Sequence, residues 1–166
     1  AIKDAVANLK PMYIKYDNGN FDFKENIAWN RSLKAFNKNP ENREYKLSEC
    51  HKAINPKMDK LMFYDENSSV KGDISWFGLH NTCVGNRNKA VNSDCYGNAA
   101  RLNEKQIDFS IFAQSACGDI SPFYIGKGAK LKRNKIKGEK EYKYSLEKGK
   151  KLSAKSIEIL NKNDNF

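Results

Sequence analysis

Between Asp73 and Ala113 the hydrophobic pattern changes period twice, and this change limits the fold more than any other feature of the chain. The stretch "DISWFGL" (Asp73 to Leu79) is rich in β-branched and aromatic residues and reads as a buried strand that stops at His80. A polar loop, "HNTCVGNRNK", follows. Residues Asn92 to Leu102 then suit a helix, with Gly97 as a weak point, and "IDFSIFA" (Ile107 to Ala113) is a second apolar strand. Strand, helix, strand makes a βαβ unit, whose two strands run parallel because the helix carries the chain back across the sheet. The expected fold is therefore α/β: a mixed β-sheet with flanking helices, containing a parallel βαβ unit over about residues 73–114.

That topology places chemistry. In open α/β sheets the loops beyond the carboxyl ends of parallel strands share one rim and form the binding crevice. His80 and Ser121 both lie just past such ends and are expected on the same side of the sheet. Elsewhere, the first forty residues read as irregular, with Asn18-Gly19 marking a turn and Asn39-Pro40 ending a segment. Met58 to Tyr64 reads as a short strand. An amphipathic helix is expected from about Leu146 to Leu160, with Ile157 and Leu160 as apolar contacts. No internal repeat is present, and the 166 residues suit one domain, 1–166.

Hydrophobic residues at 39% and aromatics at 11% exclude a disordered chain, while a mean hydropathy of −0.80 means a very polar surface. The formal net charge of +10 favours anionic partners, either nucleic acid or an anionic membrane surface. Basic residues crowd the segment from Lys127 to Lys151, but Glu139, Glu141 and Glu147 interrupt it, so it reads as a solvated loop and helix start before it reads as a binding patch. No stretch approaches the run of about 18 apolar residues that a transmembrane helix needs, and "AIKDAVANLK" lacks the apolar centre of a signal peptide. The four cysteines, Cys50, Cys83, Cys95 and Cys117, contain no CxxC pair, which argues against a structural zinc site built from thiolates. They are either free or joined in two disulfides, and the glycosylation-type triplet Asn67-Ser68-Ser69 is compatible with secretion.

Several residues are candidates for chemistry, each with a plainer reading beside it. His80 opens a polar loop after an apolar strand, a good place for a metal ligand or general base; a hydrogen-bonded strand-end histidine is the commoner outcome. Ser121 sits in "CGDISPF", where Gly118 relaxes the backbone and Pro122 holds the residue before it extended, so the corner either turns the chain or presents a hydroxyl. It does not match the Gly-x-Ser-x-Gly nucleophile elbow. Arg31 offers a planar fork for an anionic or carbonyl oxygen, or is simply a surface arginine. Asp94 suits a helix cap, Asp119 suits a turn, and His51 lies in a polar stretch with no companion pointing to chemistry.

Three stretches taken in order resemble the neutral ceramidases. "NRSLKAFNKNP" (Asn30 to Pro40) resembles that family's Asn-Arg-Ser segment, which also ends in Asn-Pro after an aromatic residue. "ISWFGLHNTCVGNRNKAVNSDCYGNAA" (Ile74 to Ala100) resembles its Trp-Phe strand, histidine, Asn-containing loop, Asn-Ser-Asp and the glycine before a helix. "GDISP" (Gly118 to Pro122) is similar to its Gly-Asp-[Val/Ile]-Ser-Pro signature, and the similarity spans roughly residues 28–125, the middle of a ceramidase catalytic domain.

The resemblance implies hydrolysis of the N-acyl amide of ceramide to sphingosine and a fatty acid. It places His80 at a zinc-ligand position, Ser121 at the serine assigned as nucleophile, and Arg31 beside the reacting amide, with Asp119 and Asp94 in supporting places. The implied cofactor is zinc. The family draws its remaining ligands from a histidine upstream of the arginine segment and from a glutamate and tyrosine well downstream, neither region lying in residues 1–166. The chain departs from the family at Cys83-Val84, where Ser-Met is usual, and at Ala116 and Phe123, where asparagines flank the serine motif. Three readings stand: an isolated fragment, one chain of a split enzyme whose second chain completes the zinc site, or a relative that has lost the metal. The implied partner is ceramide or a related lipid amide at an anionic membrane surface, not nucleic acid, and the implied location is secreted or membrane-surface associated. The alternative is a non-catalytic basic module that binds nucleic acid or anionic lipid.

Overall fold

The computed structural model describes residues 2–162. A four-stranded mixed sheet has the order β1 (Tyr13–Asn20), β3 (Lys57–Tyr64), β4 (Val70–Phe77), β5 (Phe109–Gln114). β1 and β4 each pair antiparallel with β3, whereas β4 and β5 run parallel, with Ile74 opposite Ile111. The connection between the parallel strands carries α3 (Asp94–Asn103), so the expected βαβ unit and α/β class are borne out. A separate two-residue ladder joins β2 (Trp29–Asn30) to β6 (Ile120–Ser121). Short helices α1 (Ile2–Ala7), α2 (Leu33–Phe36) and α4 (Ala129–Asn134) lie at the surface, and α5 (Lys140–Asn161) packs on α3, β1 and β3.

Alternation along β3 explains which face is covered. Met58, Lys60, Met62 and Tyr64 point inward, and Asp73, Ser75 and Phe77 of β4 meet the same layer. The main core gathers Phe21, Met58, Phe77, Leu79, Tyr96, Leu152 and Ile159 between sheet and helices. A charge pair is buried among them: Lys60 Nζ bonds the Asp73 carboxylate, and both side chains are fully shielded from solvent. Lys60 also donates to the Ser156 hydroxyl and carbonyl at 2.6 and 3.0 Å. Asp73 accepts from Ser110 Oγ at 2.6 Å, while Asn103 links Ser110, Ser153 and Ser156. Three strands and two helices thus meet in one satisfied polar network.

Two expectations change. Asn18-Gly19 is not a turn: both residues lie inside β1, opposite Asp59 and Met58, and the first forty residues contain α1 and β1 rather than irregular chain. Strand pairing overrides the local turn preference of the dipeptide. The last helix begins at Lys140, six residues earlier than apolar spacing suggests, because its first turns bury Glu141, Ser145, Lys148 and Gly149 rather than aliphatic residues. Gly149 is needed there. A Cβ on it would stand 2.6 Å from Asn98 Cβ and 2.9 Å from the Cys95 carbonyl, so α3 and α5 approach closely only over a glycine.

Lys148 is used inside the molecule. Its Nζ donates to the carbonyls of Asn26 and Ile27 at 2.8 and 2.6 Å and lies 4.4 Å from the centre of the Trp29 ring. Burial pulls its pKa down from 10.5 to about 7. Between those values the unfolded chain holds a proton that the folded chain does not, so this residue's contribution to stability rises with pH through that window and is flat below it.

Two outcomes follow from this packing. Lys60→Met strands the Asp73 charge and lowers the unfolding free energy by about 3–5 kcal/mol, whereas adding Asp73→Leu recovers part of the loss, both read from urea unfolding. Over the pH window set by Lys148, the urea midpoint of the native sequence climbs relative to that of Lys148→Met.

Candidate active-site rim

The rim forms where the segments leaving β4 and β5 run side by side. The Ser115 amide donates to the Phe77 carbonyl at 3.0 Å, and a Cβ on Gly78 would lie 2.7 Å from the Ala116 carbonyl oxygen. Only glycine allows that approach. It brings His80 against the start of the "CGDISPF" corner, with His80 Nδ1 3.2 Å from Cys117 Sγ.

The β2–β6 ladder adds Arg31 to the same place. Trp29 stands opposite Ser121 and Asn30 opposite Ile120, and the Arg31 amide donates to the Asp119 carbonyl at 2.7 Å. Asn30, fully buried, is the bracket of this corner. Its Nδ2 donates to the Ala53 carbonyl at 2.9 Å and to Asp119 Oδ2 at 2.6 Å, and its Oδ1 accepts from the Ser32 amide at 2.8 Å. The Arg31 side chain then spans the rim: Nη2 donates to the Gly118 carbonyl at 2.9 Å and approaches His80 Nε2 at 3.2 Å.

These contacts assign the histidine tautomer. A guanidinium has only donors, so Nε2 must be the accepting nitrogen and Nδ1 carries the hydrogen that faces Cys117. Burial pushes the Cys117 thiol up in pKa, against a smaller downward pull from Arg31, which keeps it protonated and a weak acceptor at neutral pH. The accepting lone pair of His80 Nε2 is therefore held by Arg31.

Ser121 is almost enclosed, at 9% exposure. Its Oγ accepts from the Phe123 amide at 3.1 Å, which leaves the hydroxyl hydrogen unused by that bond. The turn is backed by α5: Phe123 stacks on Tyr144 with ring centres 5.2 Å apart, and the Tyr144 hydroxyl donates to the Pro122 carbonyl at 2.5 Å.

Arg31, His80, Asp119 and the Ser121 turn thus belong to one corner. Asp94 does not join it by any hydrogen bond among the described residues; its carboxylate accepts from the amides of Val84 and Cys95 at 2.9 and 2.6 Å and ties the loop after His80 to α3. His51 lies in the turn after Cys50 and forms no bond with the rim among the described residues. Asn30 and Cys117 were absent from the residues singled out by sequence. The signal for Asn30 was its place between Trp29 and Arg31 in a short strand; Cys117 had none beyond preceding the glycine. All four cysteines are free and buried.

The basic segment is also partly internal. Arg133 pairs with Glu141 at 3.5 Å and lies 3.4 Å over the Phe123 ring, Lys132 lies 3.8 Å over Tyr124, and Glu141 accepts from the Gly85 amide at 2.9 Å. These cations hold the loop after His80 and the turn after Ser121 against α4 and α5. No helix among the described residues is long and apolar enough to cross a membrane.

His80 fits the implied zinc as a single donor through Nε2, because Cys117 holds Nδ1; the Nε2 lone pair accepts from Arg31 in this structure and reaches a metal only when Arg31 releases it. A catalytic zinc takes three protein ligands. Among the described residues the one cluster of three His, Cys, Asp or Glu side chains close enough to share an ion is Cys83, Asp94 and Cys95, which does not include His80.

Comparison with known proteins bears on the family and the fold. The sequence model described as "Neutral/alkaline non-lysosomal ceramidase, N-terminal" matches residues 1–153. The chain is 31% identical over 164 residues to the neutral ceramidase of Pseudomonas aeruginosa, covering 96% of this chain and 22% of that protein. It is 29% identical over 120 residues to the neutral ceramidase of Drosophila melanogaster, covering 66% and 16%. The crystal structure of the Pseudomonas aeruginosa enzyme superimposes with a TM-score of 0.76 at 31% identity, over 96% of this chain and 24% of that one. A ceramidase complexed with C2 superimposes equally well, with a TM-score of 0.76 at 30% identity. The chain therefore spans less than a quarter of the length of these relatives. With its fold, its ordered motifs and the match over residues 1–153, the chain belongs to the neutral/alkaline non-lysosomal ceramidase family.

Proposed function

We propose that residues 1–166 form part of the catalytic domain of an enzyme that hydrolyses the N-acyl amide of ceramide to sphingosine and a fatty acid. The carrying observation is the Arg31 guanidinium, which joins His80 Nε2 to the Gly118 carbonyl at the corner that leads into Ser121. The remaining zinc ligands come from outside this chain, either from a longer polypeptide or from a second chain.

Hydrolysis adds an oxygen nucleophile to the amide carbonyl, breaks the C–N bond and returns a proton to the departing sphingosine amine. Ser121 supplies the hydroxyl that attacks, or positions the water that does; its bond from the Phe123 amide fixes the rotamer while its hydrogen stays available. Arg31, held by its own backbone bond to Asp119, steadies the charge that develops on the carbonyl oxygen. His80 would offer Nε2 as one ligand once the Arg31 guanidinium turns from it toward the substrate carbonyl. Zinc, when bound, polarises the carbonyl and lowers the pKa of a coordinated water. Asp119 keeps the corner in register through Asn30.

The substrate is a lipid, so the reaction belongs at a membrane surface, and a secreted location is supported by Asn67, which stands exposed between β3 and β4. The non-catalytic basic module loses support because Arg133 and Lys148 are used in internal contacts.

In the complete enzyme, Ser121→Ala lowers ceramide turnover by about 10³–10⁶-fold with the fold intact by circular dichroism, and a variant with full turnover removes Ser121 from the mechanism. Arg31→Ala lowers kcat by about 10²–10³-fold, as expected for loss of an oxyanion donor, whereas a change confined to KM assigns Arg31 to substrate binding alone.

A further inference from the structure

We propose that Cys83, Asp94 and Cys95 form a second metal site, separate from the Arg31–His80 rim, for a borderline-soft divalent cation of the zinc type. One ligand atom from each residue lies within 4.8 Å of the others, and all three residues are buried, with Cys83 and Cys95 at 0% and Asp94 at 6% exposure. Zinc–sulfur bonds of about 2.3 Å and zinc–oxygen bonds of about 2.0–2.2 Å in a tetrahedron place ligand atoms roughly 3.3–3.8 Å apart. Modest inward movement of these side chains reaches that spacing. Asn81 Oδ1, which accepts from Cys95 Sγ at 3.1 Å, is a further oxygen beside the cluster.

Charge gives an independent reason. The Asp94 carboxylate is buried, accepts from the backbone amides of Val84 and Cys95 and from the Cys83 thiol, and forms no ion pair with a cationic side chain among the described residues. A buried carboxylate without a counter-cation is costly. Binding of a divalent ion releases the two thiol protons, so the pocket keeps a net charge of minus one with the cation central to its donors. Two sulfurs select zinc, cobalt or cadmium over magnesium or calcium, which want oxygen alone. Such an ion would staple the loop after His80 to the first turn of α3. The motif escapes spacing rules because no CxxC pair is present, and Cys83 meets Asp94 and Cys95 only when the intervening loop closes.

The test uses the reduced, metal-free 166-residue chain under anaerobic conditions, once a cooperative urea transition by circular dichroism has shown that it folds by itself. Cobalt(II) titration is expected to give a sulfur-to-cobalt charge-transfer band and tetrahedral visible bands that saturate at one equivalent and vanish when zinc is added. Cys83→Ser and Cys95→Ser each abolish the charge-transfer band or halve it, and weaken zinc binding by about tenfold or more in a chelator competition. Asp94→Asn, which keeps the shape of the side chain, weakens binding without removing the band. His80→Ala and Cys50→Ser leave the band unchanged, which separates this site from the rim. The proposal is overturned if the native chain shows no thiolate–cobalt band, if the band survives both serine substitutions together, or if it depends on His80. Should the serine variants fail to fold, the native spectrum with Asp94→Asn and His80→Ala decides the matter alone.

Discussion

The Lys60–Asp73 pair is the constraint on which the rest of the molecule depends. Removing an ammonium and a carboxylate from water costs several kcal/mol each, and the cost is offset only where geometry and hydrogen bonds are complete. Here the completing groups come from every layer: Ser110 on β5, Asn103 on α3, Ser153 and Ser156 on α5. A one-residue slip of β3 or β4 would turn one charge toward the opposite face of the sheet and leave its partner buried alone. The network therefore sets strand register and the seat of α5 in one step, and with them the ends of β4 and β5.

Everything at the rim follows from those ends. Gly78 allows the two exit segments to touch, His80 meets Cys117, and the small β2–β6 ladder delivers Arg31 beside both. The corner is organised mainly by backbone carbonyls and one buried amide, Asn30, rather than by a row of charged side chains. Such a frame orients a guanidinium and an imidazole without depending on the long, flexible chains that surface charges need. That suits an acyl-transfer site, where donors must already face the carbonyl before its charge develops.

The long basic helix plays a structural part that net charge conceals. Lys148 ends under the Trp29 ring and caps two carbonyls, while Arg133 and Glu141 grip the loop after His80 and the turn after Ser121. A buried lysine over an aromatic ring keeps its methylene stem among apolar groups and spends its donors on backbone oxygens. Several of the basic residues whose number suggests an anionic partner are therefore internal fastenings of the corner.

The sequence by itself determined the parallel unit, because an apolar run, a helical stretch and a second apolar run allow few topologies. Arg31, His80 and Ser121 stood out only through the resemblance of three ordered stretches to a family, each having a plainer reading by itself. The sequence could not show β1, since Asn18-Gly19 prefers a turn in isolation and becomes strand only when β3 supplies the ladder. Nor could it show the start of α5, whose inward face is polar or small and carries no apolar period. Asn30, Cys117 and the Cys83–Asp94–Cys95 cluster were decided by tertiary structure: Asn30 and Cys117 work through neighbours far along the chain that the closed rim brings within bonding distance, and Cys83 reaches Asp94 and Cys95 only through closure of the loop between them.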